Sequence, residues 1–412
     1  MRTTQPHNDS KIKIAYVLRT EVRAGVEEHV LSLIKNINPR RFKTYIVAPP
    51  ELIKAFGDDL DSTKATILPL RIRSLLDLKS MIAFFRFLRQ EEIDIVNTHM
   101  FFTSLHFSPI AKLAGIPVLL ETSHGVEKWR LGKGFIKRHS FILDRTLSIL
   151  QTKILAVSQA CKRDLIKIKK INPAKIRVVQ NGRDFKTFSP IPVTELQQLR
   201  RQFSLKPDDY VFGIQARLDF QKGHKYLFNA VRSLANQRKD FKVLVVGDGI
   251  LREELQKQVA NLNIQDHIIF AGFQTNIPRF LGIMDVKVLP SLYEGLPLGV
   301  IEALAMEKPV IATAVDGTPE VLTHNETGLL VPPKDSEALC KAMMFALDHK
   351  EKMREMGKKG RLFVLKHFTL ERQIQETERL YEELISRTRK KEKRKRGRFY
   401  FREKEPDVGV WP

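Results

Sequence analysis

Short apolar runs alternate with longer amphipathic stretches along most of this chain, a strand–helix rhythm repeated twice. Lys11–Leu18 begins by alternating and ends apolar, as a first buried strand does. Glu27–Asn36 then places Val30, Leu31 and Ile34 on one helical face. Tyr45–Ala48, Ile93–Asn97, Val118–Thr122 and Lys153–Val157 are apolar runs of strand length, with helical patterns at Leu75–Arg89 and Thr103–Ala114 between them. The pattern predicts an α/β domain with a mainly parallel sheet over residues 11–188.

A break follows Phe188. Ser-Pro-Ile-Pro-Val-Thr and the charged stretch to Pro207-Asp-Asp read as a linker over 189–208 with one helix in it. A second series of strands then begins: Tyr210–Gln215, Phe241–Val246, His267–Phe270, Asp285–Leu289 and Pro309–Ala312. Helices are expected at Lys225–Asn236, Leu251–Leu262, Val300–Met306 and Ser336–Leu347, which gives a second α/β domain over 209–369. A last helix over 370–386 is expected to cross back over the first domain. Residues 1–10 and the tail 387–412 are expected to be disordered. Ligands of open α/β sheets sit at the carboxyl ends of the strands, so two such domains facing each other make a cleft.

The most informative segment is Ser291-Leu-Tyr-Glu-Gly-Leu-Pro-Leu-Gly-Val-Ile-Glu-Ala-Leu-Ala305. Glu302 is the sole charge between Gly295 and Met306, and a lone carboxylate there is costly to bury without a partner. Either this face lines a polar cleft, or Glu302 serves a ligand's hydroxyls. Gly295 and Pro297 open a helix whose first amides favour an anion. One short segment thus offers an anion seat and two hydroxyl acceptors, Glu294 and Glu302, as a nucleotide sugar requires.

Upstream, Gly213-Ile-Gln-Ala-Arg217-Leu-Asp-Phe-Gln-Lys222-Gly223 runs off a strand end. Alone, Arg217 and Lys222 read as solvated loop charges; beside the two glutamates they suit a diphosphate. Val245-Val-Gly247-Asp-Gly249 resembles the start of a dinucleotide fingerprint, but Arg252 stands where the third glycine belongs, so a tight strand-to-helix turn is an equal reading. Asp59-Leu-Asp61 fits a metal-binding Asp-x-Asp pattern, yet its place between elements reads as a surface turn.

Composition adds compartment and charge. Hydrophobic residues make up 43% of 412, enough for two full cores. No run reaches the roughly 20 apolar residues of a spanning helix, and the first ten residues lack a signal-peptide core. Cys161 and Cys340 show no metal-type spacing, so a cytoplasmic chain with reduced thiols is expected. The net charge is +23. From Arg387 to Lys404 stand 11 basic and 2 acidic residues, with Phe399-Tyr400-Phe401 among them. That mixture, and Lys128–His139 in the first domain, suit an anionic membrane surface. Nucleic acid fits the charge alone, and no recognition module for it is present.

Together these motifs resemble the retaining nucleotide-sugar glycosyltransferases of the glycogen-synthase-like group, family four in particular. The resemblance spans roughly residues 11 to 385. Its most specific part is Glu294-x7-Glu302 followed by Gly317-Thr-Pro-Glu320. Arg217 and Lys222-Gly223 match the phosphate-binding pair, Asn181-Gly-Arg-Asp…Phe188 the interdomain segment, and Thr122-Ser-His124-Gly a first-domain histidine loop. Where the family has Gly-Gly-x-Glu, this chain reads Ala24-Gly25-Val26-Glu27.

The resemblance implies two Rossmann-like domains (the GT-B architecture) with a nucleoside diphosphate sugar, UDP- or GDP-linked, in the cleft. It implies no metal and no further cofactor. Arg217, Lys222 and the Gly295–Leu296 amides would stabilise the departing diphosphate, more strongly in the transition state than before it. Glu302 would hold the ribose and Glu294 the sugar, without acting as a nucleophile. His124 would touch the sugar from the opposite domain, although without the resemblance it reads equally as a satisfied core histidine. Gly25 would approach sugar and phosphate, Gly247 the donor, and Phe273 lies in the Gly272–Asn276 stretch expected at the base. Retention is expected through front-face attack, the departing phosphate taking the acceptor's proton. The acceptor is expected to be a polysaccharide or lipid-linked glycan at the inner membrane face. The rival readings are a non-catalytic nucleotide-sugar or nucleic-acid binder on the same fold and, less favoured, a dinucleotide oxidoreductase.

Overall fold

A computed structural model describes residues 11–74, 77–125 and 135–402, and their side chains except at 135–140 and 392–402. The first sheet has seven strands: β1 (Ile12–Val17), β2 (Phe42–Ala48), β3 (Thr66–Pro69), β4 (Ile95–His99), β5 (Val118–Ser123), β6 (Lys153–Ala156) and β7 (Ile176–Val178). The second has six: β8 (Tyr210–Gln215), β9 (Phe241–Val246), β10 (Ile268–Gly272), β11 (Val286–Leu289), β12 (Val310–Thr313) and β13 (Gly328–Val331). Their orders are β3-β2-β1-β4-β5-β6-β7 and β10-β9-β8-β11-β12-β13. Every pairing is parallel, as two Rossmann-like α/β domains require.

In each sheet the chain steps outward to one side, then crosses to the other, between β1 and β4 and between β8 and β11. The loops at such a reversal splay apart and leave a crevice at the carboxyl ends. Helices cover both faces of each sheet, so the central strands are buried; most of their residues are apolar, with polar ones such as Asn97, Thr98 and His99 gathered toward the carboxyl end of β4.

The final helix joins the halves. Leu370, Ile374, Leu380, Tyr381, Leu384 and Ile385 bury against Ile14, Tyr16 and Val30 of the first domain. Tyr381 accepts from Asn97 Nδ2 at 3.2 Å, and Glu378 accepts from the Asn38 amide at 2.7 Å. This helix runs over Leu370–Arg402, well past Ser386 where the sequence reading ended it. The physical reason is that Lys, Arg and Glu are strong helix formers, and no proline intervenes before Pro406. Residues 387–402 of the expected disordered tail are therefore helical, and 403–412 lie outside the described residues, as do 1–10 and most of Lys128–His139.

The 189–208 linker carries a helix, Val193–Gln202, and Leu199 and Leu205 pack into the core of the second domain with Phe280 and Leu281. Asp58–Asp61 is a short helix, and Asp59 binds Arg23 at 2.8 Å and Lys35 at 2.6 Å. Those ion pairs, with hydrogen bonding from Lys35 as the largest cause, hold the Asp59 carboxyl below the usual range. Strands β3, β7 and β13 are three or four residues long and sit at sheet edges, too short to show a period.

Candidate active site

The loops after β8 and β11 meet first. Asp219 caps the turn Phe220–Lys222, taking the Lys222 amide at 3.2 Å. That turn aims Lys222 inward, and its Nζ lies 2.7 Å from Glu294 Oε1. Ser291 Oγ donates to the same oxygen at 2.7 Å, and the Glu294 amide donates to Asp316 Oδ2 at 2.8 Å. Glu294 is thus buried but matched, and one cation and one carboxylate stand together at the strand ends. Arg217 does not join them. Its side chain is 61% exposed at the rim and pairs with Asp219 at 3.0 Å.

Glu302 lies on the helix Leu298–Ala305, buried, with both oxygens engaged. Arg183 binds Oε1, and Gln215 Nε2 donates to Oε2 at 3.2 Å. Gln215 Oε1 in turn takes Lys287 Nζ at 2.6 Å. A carboxylate offers about four lone-pair positions, so two remain for a ligand diol. Arg183 comes from the crossover segment, where its amide donates to Phe368 O at 2.9 Å.

The two domains touch across the cleft. A Cβ on Gly295 would lie 2.0 Å from the carbonyl oxygen of His124, and one on Gly125 would lie 3.6 Å from Gly295 Cα. Glu320 ties the same domains from the side: its carboxylate accepts the Gln159 and Ala160 amides at 2.9 and 2.6 Å, and Gln180 Nε2 at 3.0 Å. A carboxylate from the second domain thereby caps the first-domain helix Gln159–Lys167.

His124 belongs to a cluster of three. His99 Nδ1 and His124 Nε2 share a hydrogen bond at 3.1 Å, and the His29 and His124 rings meet edge-on at 4.8 Å. Burial lowers all three from the ordinary histidine value, His124 to about 4, so the imidazoles are neutral at pH 7. Their donor nitrogens lie within 4.8 Å of one another, the span of a candidate metal set. Two lone pairs are already used, however. Gln373 Oε1 accepts the Gly182 amide, so its Nε2 donates to His29 Nδ1 at 3.1 Å, and His99 and His124 bind each other. Neutral imidazoles of this kind can meet a ligand's hydroxyl groups as hydrogen-bond partners or hold a metal ion through a free ring nitrogen.

The remaining residues follow their strands. Gly25 opens the helix after β1, and a Cβ there would meet nothing within 4 Å. Gly247 follows β9 with φ +139°, and a Cβ would lie 2.0 Å from Ala216 O, so glycine is needed where two loops pack. Phe273 follows β10 and is 72% exposed. Leu296 is buried beside Gly295.

The sequence reading missed Gln215, Lys287, His29 and His99 as members of this site, and named Arg183 and Glu320 only as parts of the interdomain and Gly-Thr-Pro-Glu segments. Signals were present for some. Lys287 is the one charge inside the run Val-Lys-Val-Leu, and His99 ends β4 beside β5, which leads to His124.

Comparison with known proteins places the chain. Residues 23–187 match the family model for Glycosyltransferase Family 4, and residues 196–363 match that for Glycosyl transferases group 1. The UDP-Gal:alpha-D-GlcNAc-diphosphoundecaprenol alpha-1,3-galactosyltransferase of Escherichia coli is 27% identical over 383 residues, 91% of this chain and 98% of that one. The lipopolysaccharide core biosynthesis mannosyltransferase LpsB of Rhizobium meliloti is 28% identical over 50% of this chain and 61% of its own. Among solved structures, Anabaena Alr3699/HepE, in complex with UDP and glucose, superposes with a TM-score of 0.80 over 90% of this chain and all of that one. Its identity is 18%, so this likeness shows the fold alone.

Proposed function

The chain belongs to the glycosyltransferases built on two Rossmann-like domains, and on that premise we propose that it is a retaining, metal-independent enzyme using a UDP- or GDP-linked sugar. The observation that carries this reading is the Lys222–Glu294 pair beside Glu302, set at the strand ends of one domain and facing His124 of the other. In this reading Lys222 and the Gly295–Leu296 amides take the diphosphate, Arg217 swings in from the rim, and Glu302 holds the ribose. Glu294 holds the sugar. His124 meets the reacting centre, where the departing phosphate takes the acceptor's proton.

The test is ligand binding and release. UDP or GDP is expected to raise the melting temperature by several degrees at saturating concentration, and NAD to leave it unchanged. A donor screen that follows nucleoside diphosphate release then identifies the sugar and separates an enzyme from a non-catalytic binder. No shift with any nucleoside diphosphate, and no release from any donor, defeats the proposal.

The acceptor we propose is a lipid-linked or polysaccharide glycan, reached at the inner membrane face. Among the described residues no helix is long and apolar enough to cross a membrane. The helix Leu78–Gln90 instead exposes Leu78, Ile82 and Phe85 at helical spacing, with Arg86 and Arg89 nearby. Ile142, Leu143 and Ile149 are exposed on the helix Phe135–Leu150. Apolar residues flanked by basic ones suit an anionic headgroup layer. Deleting residues after Ser386 spares the apolar contacts of the last helix. It is expected to weaken sedimentation with anionic liposomes several-fold while solution activity stays near wild type. Equal liposome binding by both forms removes the tail from the membrane face.

A further inference from the structure

Lys287 is fully buried in β11, in a run whose other members, Val286, Val288 and Leu289, are apolar. Burying an ammonium costs several kcal/mol before pairing, and a methionine would fill the same space at less cost. Its neighbours show what the charge does. Lys287 Nζ donates to Gln215 Oε1 at 2.6 Å, and Gln215 Nε2 donates to Glu302 Oε2 at 3.2 Å. An amide has one accepting end and one donating end. The ammonium therefore fixes which end of Gln215 faces the carboxylate. Without it, Gln215 Oε1 loses its ammonium donor, and the amide is held by Glu302 alone instead of from both ends. Gly299 adds to the constraint: a Cβ there would lie 3.0 Å from Lys287 Nζ and 3.2 Å from Gln215 Oε1. The helix carrying Glu302 thus begins directly over the ammonium–amide pair.

We propose that Lys287 is a positioning residue for the donor: acting through Gln215, it holds the Glu302 carboxylate in the orientation that accepts the ribose diol of a nucleoside diphosphate. The inference rests on the donor site proposed above. It gives the site a pH dependence of its own. Burial lowers Lys287 to about 8, opposed by Glu302 and Glu294 and reinforced by Lys222, the charged groups around it on the helix Leu298–Ala305 and the loops after β11 and β8. Arg183 faces it through Glu302. Donor affinity needs the protonated amine, so it falls as pH rises through about 8. Stability moves the other way. Between about 8 and the ordinary lysine value of 10.5, the unfolded chain holds this proton and the folded chain does not, so the group's contribution to stability rises with pH.

The experiment is calorimetric titration of the full chain with UDP, GDP and ADP at pH 7 and pH 9, for wild type and Lys287→Met. Wild-type Kd for the preferred nucleotide is expected to rise about tenfold between the two pH values. Lys287→Met is expected to bind about tenfold more weakly at pH 7 and to lack that added rise, with KM for the donor increased and kcat nearly unchanged. Ionisation of the nucleotide is common to both proteins and cancels in the comparison. Gln215→Glu serves as the second variant, because it keeps a partner for Lys287 while facing Glu302 with like charge, and it is expected to lose affinity as well. If a folded Lys287→Met keeps both the wild-type Kd and its pH dependence, the positioning role is wrong and the donor site stands. If wild type binds none of the three nucleotides, the donor site itself is wrong, and this role goes with it.

Discussion

Lys222→Ala is expected to lower sugar transfer at least about a hundredfold, the cost typical of removing one fixed charge or donor from a developing anion. In the proposed mechanism the loss falls mainly in kcat, since negative charge on a departing diphosphate grows toward the transition state, where Lys222 would meet it. The ground state is already balanced, with Nζ 2.7 Å from Glu294 Oε1. A stability effect has to be separated from this. Glu294 has a side-chain exposure of 7%, and removing its cation leaves a buried charge that still accepts from Ser291 Oγ. Breaking such a pair costs about 3–5 kcal/mol where burial is complete. The double variant Lys222→Ala/Glu294→Gln removes the orphaned charge, so melting temperature is expected to recover while transfer stays lost. Wild-type turnover in folded Lys222→Ala removes this residue from the site.

The architecture was legible because parallel strands buried on both faces become continuous apolar runs, as Tyr210–Gln215 and Phe241–Val246 show. Edge strands such as β3 are short, partly exposed and mixed in character, so no period marks them. The 189–208 segment carries the composition of a spacer, but Leu199 and Leu205 find a surface to cover that only the fold creates. In the site, Glu294, Glu302 and Lys222 stood out because charges in apolar or glycine-rich surroundings need a reason. Arg183 and Gln215 did not, because a basic residue in a loop and an amide at a strand end are ordinary until the chain brings them to Glu302. Arg217 shows the reverse limit: its spacing from Lys222 suggests convergence, yet a long side chain at the rim takes the nearest carboxylate, Asp219.

Gly295→Ala tests whether the close approach of the two domains is the reacting state. The added Cβ would lie 2.0 Å from His124 O and 2.9 Å from its carbonyl carbon, distances that no side-chain adjustment relieves because both atoms are backbone. The other side is closed too, since a Cβ on Gly317 would lie 2.0 Å from Gly295 O. The loop therefore cannot retreat without disturbing Asp316, which takes the Glu294 amide at 2.8 Å. The domains must part by an ångström or more, and a misplacement of that size costs on the order of a hundredfold in rate. The proposed donor site draws mainly on the second domain, so nucleotide Kd is expected to change only a few-fold while transfer falls at least about a hundredfold. Single-turnover rates at saturating donor, beside calorimetric nucleotide binding, separate the two quantities. Transfer and binding that fall together would show that Gly295 serves the nucleotide alone, and wild-type transfer would show that chemistry does not need the two loops in contact.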